Sequence, residues 1–269
     1  MRMIIAFTIL VYIAAASSVL ALDDPDLVFY FPYESFSGDT ALDQSGKGHN
    51  GTINGNIKLV DGGKRGKAAQ FAQTSFIDMD GPNVPEDHIP KDELTLCAWA
   101  RCEKTGDHHT LFNARAADGT WVIHPEFRSE GNFRWLLRSD GGVDLFDIRA
   151  GAVEWDEWTH YAGVYDGGKA ILYINGENTA EQAAKGEVAK DWGMGARIGY
   201  DIDNERPFTG LMDDLCMWKK ALTEDEIRIL MEKGPEVLIE GEAVSPTGNL
   251  ATSWGQIRSS EQVEVSCCN

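Results

Sequence analysis

Three groups of residues have types and spacings that chemistry could use: clustered carboxylates, aromatics among polar neighbours, and close pairs of histidine or cysteine. Asp201-Ile-Asp203-Asn-Glu205 spaces its acids two apart, and a strand would put all three on one face. Hydrolysis of a glycosidic bond with retention needs two carboxyl groups about 5–5.5 Å apart. The segment, however, lies between Gly199 and Pro207, and Asp and Asn are favoured in turns. A polar turn therefore outranks catalysis. In Glu154-Trp155-Asp156-Glu157-Trp158, Trp158 stands where a third acid would be needed. His108-His109 has no third ligand at a fixed spacing and reads as a solvated loop. Neither a glycine-rich phosphate loop nor a G-x-S-x-G elbow occurs, so nucleotide binding and serine hydrolysis by those motifs are excluded.

The aromatics offer binding instead. An indole is apolar on its faces and polar at its edge, so an exposed Trp can stack on the C–H face of a sugar ring. Trp121, Trp135, Trp155 and Trp192 have polar or glycine-rich neighbours and are the stacking candidates. Trp99, Trp158 and Trp218 sit inside strong strand blocks and are expected to pack.

What must position these residues is a β framework. Short apolar blocks such as LVFYFPY, LTLCAWARC, TWVIH, NFRWLLR and GLMDDLCMW are separated by Gly, Asn and Asp turns. That rhythm predicts an all-β, antiparallel, two-sheet sandwich or jelly roll. WTHYAGVYDGGKAILYING reads as a hairpin around Asp166-Gly167-Gly168. One short C-terminal helix is expected in TEDEIRILMEKG, where Thr223 and Glu226 form a capping box and Gly234-Pro235 is the stop. Residues 235–269 read as an extended tail or linker.

The first 21 residues, with Arg2, an apolar run and small residues Val19 and Ala21 before the cut, read as a cleaved signal peptide. The expected product is secreted, without membrane insertion after cleavage. A formal net charge of −19 repels phosphate backbones and argues against nucleic acid as a partner. Export would allow oxidised cysteines. Cys97 and Cys102 are five apart on one predicted strand and face opposite ways, so they cannot pair with each other. Cys216 is the candidate partner for one of them, and Cys97–Cys216 is the disulfide candidate. Cys267 and Cys268 are adjacent in the tail.

DLVFYFPYE, ALDQSGKGHNGTINGN, GKAAQFAQTSFIDM, LTLCAWAR, WTHYAGVYDGGKAILYINGE and ARIGYDIDNERPFTGLMDDLCMWKKALTEDEI follow in that order. Together they resemble the laminin-G-like, concanavalin A-like lectin/glucanase jelly-roll family over Asp26 to Gly234, and the ending is similar to that of the related pentraxins. The resemblance implies one recognition domain, residues 24–234, that takes a glycan or a protein. It also implies a structural Ca²⁺, with Asp43, Asn50 and Asp214 as ligands and Asp213 as alternate. Strand alternation would send Asp213 and Asp214 to opposite faces. The expected function is a noncatalytic module that recognises an extracellular glycan or glycoprotein. A protein–protein adhesion module is the alternative, and a glycosidase using Asp201, Asp203 and Glu205 ranks third.

Overall fold

The computed structural model describes Leu22 and residues 24–244; the signal segment and Cys267-Cys268 lie outside the described residues. Two antiparallel sheets pack face to face. One has eight strands, in the order Glu177–Ala183, Lys169–Ile174, Thr159–Tyr165, Leu94–Cys102, Gly210–Trp218, Lys67–Phe71 and Ile57–Asp61, with Leu27–Phe31 also paired to Gly210–Trp218. The other has ten. Asp144–Ala150, Phe133–Arg138, Trp121–Phe127, Phe112–Arg115 and Gly195–Ile198 form one half, and Phe76–Asp78, Gly51–Asn54, Thr40–Ala41 and Phe36–Ser37 continue it. His109–Thr110 adds to the end of Trp121–Phe127.

The main core fills the space between the sheets. Trp135 lies flat against Gly163, where a Cβ would come within 2.6 Å of the indole. Its Nε1 donates to the Val164 carbonyl at 3.2 Å. Leu94–Cys102 and Gly210–Trp218 are buried almost throughout because the eight-stranded sheet is covered on its outer face as well. There Leu27, Cys97, Trp218, Ile227, Leu230 and Leu238 belong to a second apolar cluster.

Helix α1 (Glu224–Lys233) supplies part of that cover. Its capping box is formed as expected, Thr223 accepting from the Glu226 amide while Glu226 returns to Thr223. The predicted tail needs correction at its start, because Pro235–Val244 is a second helix, α2. Pro235 stops α1 but suits a helix's first position, where no N–H is needed, and Leu238 buries the new helix against the sheet. The polar strand Glu177–Ala183 was also not expected. It is a largely exposed edge strand held by its ladder to Lys169–Ile174, with no apolar alternation to announce it.

The candidate disulfide is not formed. Cys97 and Cys216 face each other in register, but both are buried free thiols, and the Cys216 Sγ–H donates to the Cys97 carbonyl at 3.8 Å. Cys102 points into the main core, on the opposite side from Cys97, as its spacing requires.

A polar clamp joins the helices to the sheet. A bulge between Asp213 and Cys216, with Asp214 at φ 48°, turns both acids toward the 64–65 turn instead of to opposite faces. Asp213 Oδ2 accepts from the Lys64 and Arg65 amides at 2.8 and 3.0 Å. Asp214 pairs with Arg65 at 2.5 Å and accepts from the Tyr30 hydroxyl at 2.7 Å. The Tyr30 oxygen also lies within hydrogen-bond distance of Glu236 on α2, at 2.8 Å, its single proton shared between the two carboxyl groups, and Arg65 donates to the Leu230 and Met231 carbonyls at the end of α1.

Burial and the Asp213 charge push the Asp214 carboxyl up to about 7. The folded state thus holds that proton more tightly than the unfolded chain, and the stability gained is lost as pH rises through about 7. Asp214→Asn should cost more stability at pH 5 than at pH 8, the difference being on the order of 1 kcal/mol or more. Urea denaturation at both pH values measures it, and an equal cost at both would refute the assignment.

Candidate functional site

The outer face of the ten-stranded sheet carries charge where the other sheet carries helices. Register places Glu126 opposite both Arg134 and Thr110, on one face. Glu126, His124, Asn113 and Thr110 are all fully buried. A buried carboxylate needs partners, and Glu126 has several: His124 at 2.9 Å, Arg128 at 2.8 Å, Arg206 at 3.1 Å and Arg134 at 3.6 Å. Burial alone would raise its pKa, but His124, Arg134 and Arg206 outweigh that and hold it at about 2. It is a fixed anion, unsuited to act as a general acid. Burial pushes the His124 imidazole below its ordinary value, and its Nε2 meets the Asn113 amide at 3.1 Å.

The segment 201–207 lies across this bed. The Ile202 amide donates to Asn113 Oδ1 at 3.1 Å, and the Arg206 carbonyl accepts from the Thr110 amide at 3.2 Å. Arg206 reaches Asp201 at 2.6 Å as well as Glu126, and its guanidinium sits 4.7 Å from the centre of the Trp121 ring. Asn204 and Arg206 hold φ of 60° and 55°, left-handed values that non-glycine residues adopt at a cost.

Trp121 is part-exposed at the start of its strand, with the guanidinium groups of Arg115 and Arg138 also about it at 4.9 and 5.6 Å. Arg115 pairs with Asp203, and Arg138 with Asp144 at 2.5 Å. Two clefts flank this group. One of about 480 Å³ is lined by Asp118, Gly119, Thr120, Trp121, Arg138 and Gly142. The other, of about 520 Å³, includes His108, Ser129, Glu205 and Arg206. From Trp121 to Phe127 the strand spans roughly 20 Å at 3.3 Å per residue.

Only one stacking candidate is therefore in place. Trp135 and Trp192 are core residues, not ligand platforms: the sandwich interior needs bulk, and Trp192 packs on Phe112 at 5.5 Å. Trp155 is half-buried, packed on the core beside His109 at 5.7 Å. The Asp201–Glu205 acids form the expected turn. Asp201 accepts from the Glu205 amide at 2.8 Å, Asp203 is held by Arg115, and Glu205 is largely exposed. His108 lines the second cleft, bonded to Ser129 and Arg128, rather than standing in a free loop.

The expected calcium ligands are not gathered. Asp43 accepts from the Tyr30, Ser45 and His49 amides and the Ser45 hydroxyl at 2.8–2.9 Å, fixing its own turn. Asn50 Oδ1 is taken by the Asp43 amide. Asp213 and Asp214 serve the clamp, at the far end of the Tyr30 side chain. Each donor set is spent on protein N–H and O–H groups, so these residues do not fit as joint ligands. Among the described residues, no three His, Cys, Asp or Glu side chains are grouped to hold a metal ion.

Glu126, His124 and Arg206 were missed at the sequence level. The available signal was WVIHPEF, where His124 and Glu126 are polar at alternate positions of an otherwise apolar strand.

The sequence profile of the concanavalin A-like lectin/glucanases superfamily matches residues 79–228. No curated protein matches the chain. Among solved structures, domain 4 of AbnA, a GH43 extracellular arabinanase of Geobacillus stearothermophilus in complex with arabinotriose, is 23% identical with a TM-score of 0.62. The match covers 77% of this chain and 98% of that one. The binding domain of Paraclostridial Mosquitocidal Protein 1 is 18% identical with a TM-score of 0.58, over 77% of this chain and 52% of that one. The receptor-binding domain of botulinum neurotoxin type G is 12% identical with a TM-score of 0.57, over 77% and 51%. This chain thus corresponds to about half of each toxin domain.

Glu126→Gln should cost about 3 kcal/mol or more at pH 7, since it leaves buried cations without their anion. The folded carboxyl titrates at about 2 instead of 4.5, so its contribution is full above the unfolded pKa and is lost as pH falls toward 2. The two proteins should converge in urea denaturation between pH 5 and pH 2; a gap that stays constant would overturn this account of Glu126.

Proposed function

The chain belongs to the concanavalin A-like lectin/glucanases superfamily, and on that premise we propose that it is a secreted, noncatalytic module that binds a neutral glycan across the Trp121 face. Trp121 carries the reading. Of the four candidate tryptophans it alone is part-exposed on the polar face, between two clefts, and ringed by guanidinium groups already paired with carboxylates. Such a surface offers the exposed part of an indole for C–H groups and many hydrogen-bonding groups for hydroxyls, without a net positive charge to select an anion. The arabinotriose complex of the similar arabinanase domain supports the substrate class, and the toxin binding domains support recognition over catalysis. The signal-like segment 1–21 supports export.

One observation favours the protein-adhesion alternative. Val143 and Met194, exposed at 63% and 49%, stand by the loops that line the Trp121 cleft. Gly119 of that cleft faces the Met194 sulfur, which a Cβ at that position would meet at 3.8 Å.

An array of neutral oligosaccharides, arabinotriose included, tests the choice. Binding by the native protein should fall roughly tenfold or more, about 1.4 kcal/mol, in Trp121→Ala, with stability little changed. Trp135→Ala should instead lose about 3–5 kcal/mol of stability, as a buried Trp does. Unchanged binding in Trp121→Ala would sink the glycan reading of this face. A pull-down of one protein, indifferent to free sugars, would establish adhesion.

A further inference from the structure

We propose that the bed beneath residues 201–207 is a covered sugar-binding site, opened when a glycan displaces Arg206 and its segment. The inference rests on the glycan reading above and adds a site and a step to it.

Four polar residues lie fully buried on the outside of a sheet: Thr110, Asn113, His124 and Glu126. A sheet face needed only for stability would be apolar there, since burying polar and charged groups is costly. The covering segment satisfies the bed incompletely. Among the described residues Thr110 Oγ has no hydrogen-bond partner, although Thr110 sits directly opposite Glu126 and shares its face.

The cover touches the four buried residues through few bonds: the Ile202 amide on Asn113, the Arg206 carbonyl on the Thr110 amide and the Arg206 guanidinium on Glu126. Its margins are tied as well, by Arg115 to Asp203, by Arg197 to the Asp201 carbonyl and the Asn204 side chain, and by the Tyr200 hydroxyl to the Asn204 carbonyl, and these ties must also yield for the segment to lift. Two left-handed non-glycine residues, Asn204 and Arg206, store strain in the same seven residues. Lifting the segment leaves Glu126 paired with His124, Arg128 and Arg134, so no naked charge results.

Opening frees three things at once: the Asn113 and Glu126 oxygens as acceptors, the Thr110 hydroxyl as donor or acceptor, and the Trp121 face that Arg206 covers. A neutral sugar ring supplies the complement, hydroxyl donors on one edge and C–H groups on a face. Because the remaining cations already balance Glu126, a hydroxyl suffices and no positive charge is required of the sugar.

Arg206→Ala removes the plug. If closure competes with binding, apparent affinity rises as the open fraction rises. Calorimetry with arabinotriose and the other neutral trisaccharides of the array should show tighter binding by Arg206→Ala, by roughly fivefold or more. A thermal melt of the variant confirms that it is folded. Independently of any variant, hydrogen exchange of the native protein should speed up at the Ile202, Asn204 and Glu205 amides when the sugar saturates it.

Sugar binding by the variant alone would also support the covered site. Weaker binding by Arg206→Ala, with the 202–205 amides still protected in the complex, would overturn it and leave the Trp121 reading standing. If neither the native protein nor the variant binds any array sugar, the glycan reading falls and takes the covered site with it.

Discussion

The ion pairs around Glu126 hold the polar face of this protein together. Stripping water from a carboxylate costs several kcal/mol in a protein interior, and that cost is offset only where cations converge. Here they come from separate parts of the chain. Arg128 opens the turn that follows the Glu126 strand, Arg134 lies on the next strand, and Arg206 arrives from the far segment 201–207. His124 extends the network to Asn113 and so to the neighbouring strand. Arg134 also carries it outward to Asp147 at 2.7 Å. The position of Trp121 between guanidinium groups depends on these pairings, since Arg206 can lie over the indole only while Glu126 and Asp201 hold it there.

The sandwich divides its two outer faces by task. On the eight-stranded sheet, the second apolar cluster is sealed by α1 and α2, and the Tyr30–Asp214–Arg65 clamp fixes both helices to the strands. Leu22, at the start of the described chain, packs into the same cluster. That face is closed by Leu22 and by the two helices. Among the described residues no α-helix covers the outer face of the ten-stranded sheet, which keeps its charged rows. Its cover is the seven-residue segment 201–207, held by bonds to Asn113, Thr110, Glu126, Arg115 and Arg197 rather than by apolar packing of a helix.

Much of the fold was legible because burial writes itself into patterns. The apolar blocks became strands, Thr223 and Glu226 became a capping box, and Asp166-Gly167-Gly168 became the turn whose Asp166 side chain accepts from the Gly168 and Lys169 amides. The strand Glu177–Ala183 left no such mark, since an edge strand held by backbone bonds needs no apolar face. The bulge at Asp214 reversed an inference from alternation, because a single left-handed residue shifts the phase of a strand. Neighbouring polar residues misled at Trp135 and Trp192: a side chain's burial depends on which sheet face it meets, not on its sequence neighbours. The Glu126 network was illegible for a different reason. Its members are scattered from Thr110 to Arg206, and only sheet register brings them together.

The arginines explain how a strongly acidic chain can present a face suited to uncharged ligands. Each guanidinium has five N–H donors in a planar fork, and a carboxylate partner occupies at most two or three of them. Arg134 gives two nitrogens to Asp147 and turns the third to Glu126, whereas Arg138 gives only its Nε to Asp144. At Arg138 the remaining donors stay free of that carboxylate, while the charge is cancelled locally. A polyanion would have to displace those carboxylates and approach a protein of net charge −19, against the field of the whole chain. Hydroxyl groups face no such opposition. They can accept from spare guanidinium donors and donate to carboxylate oxygens with no charge of their own to be cancelled, so local neutrality, rather than any basic patch, is what distinguishes this face chemically.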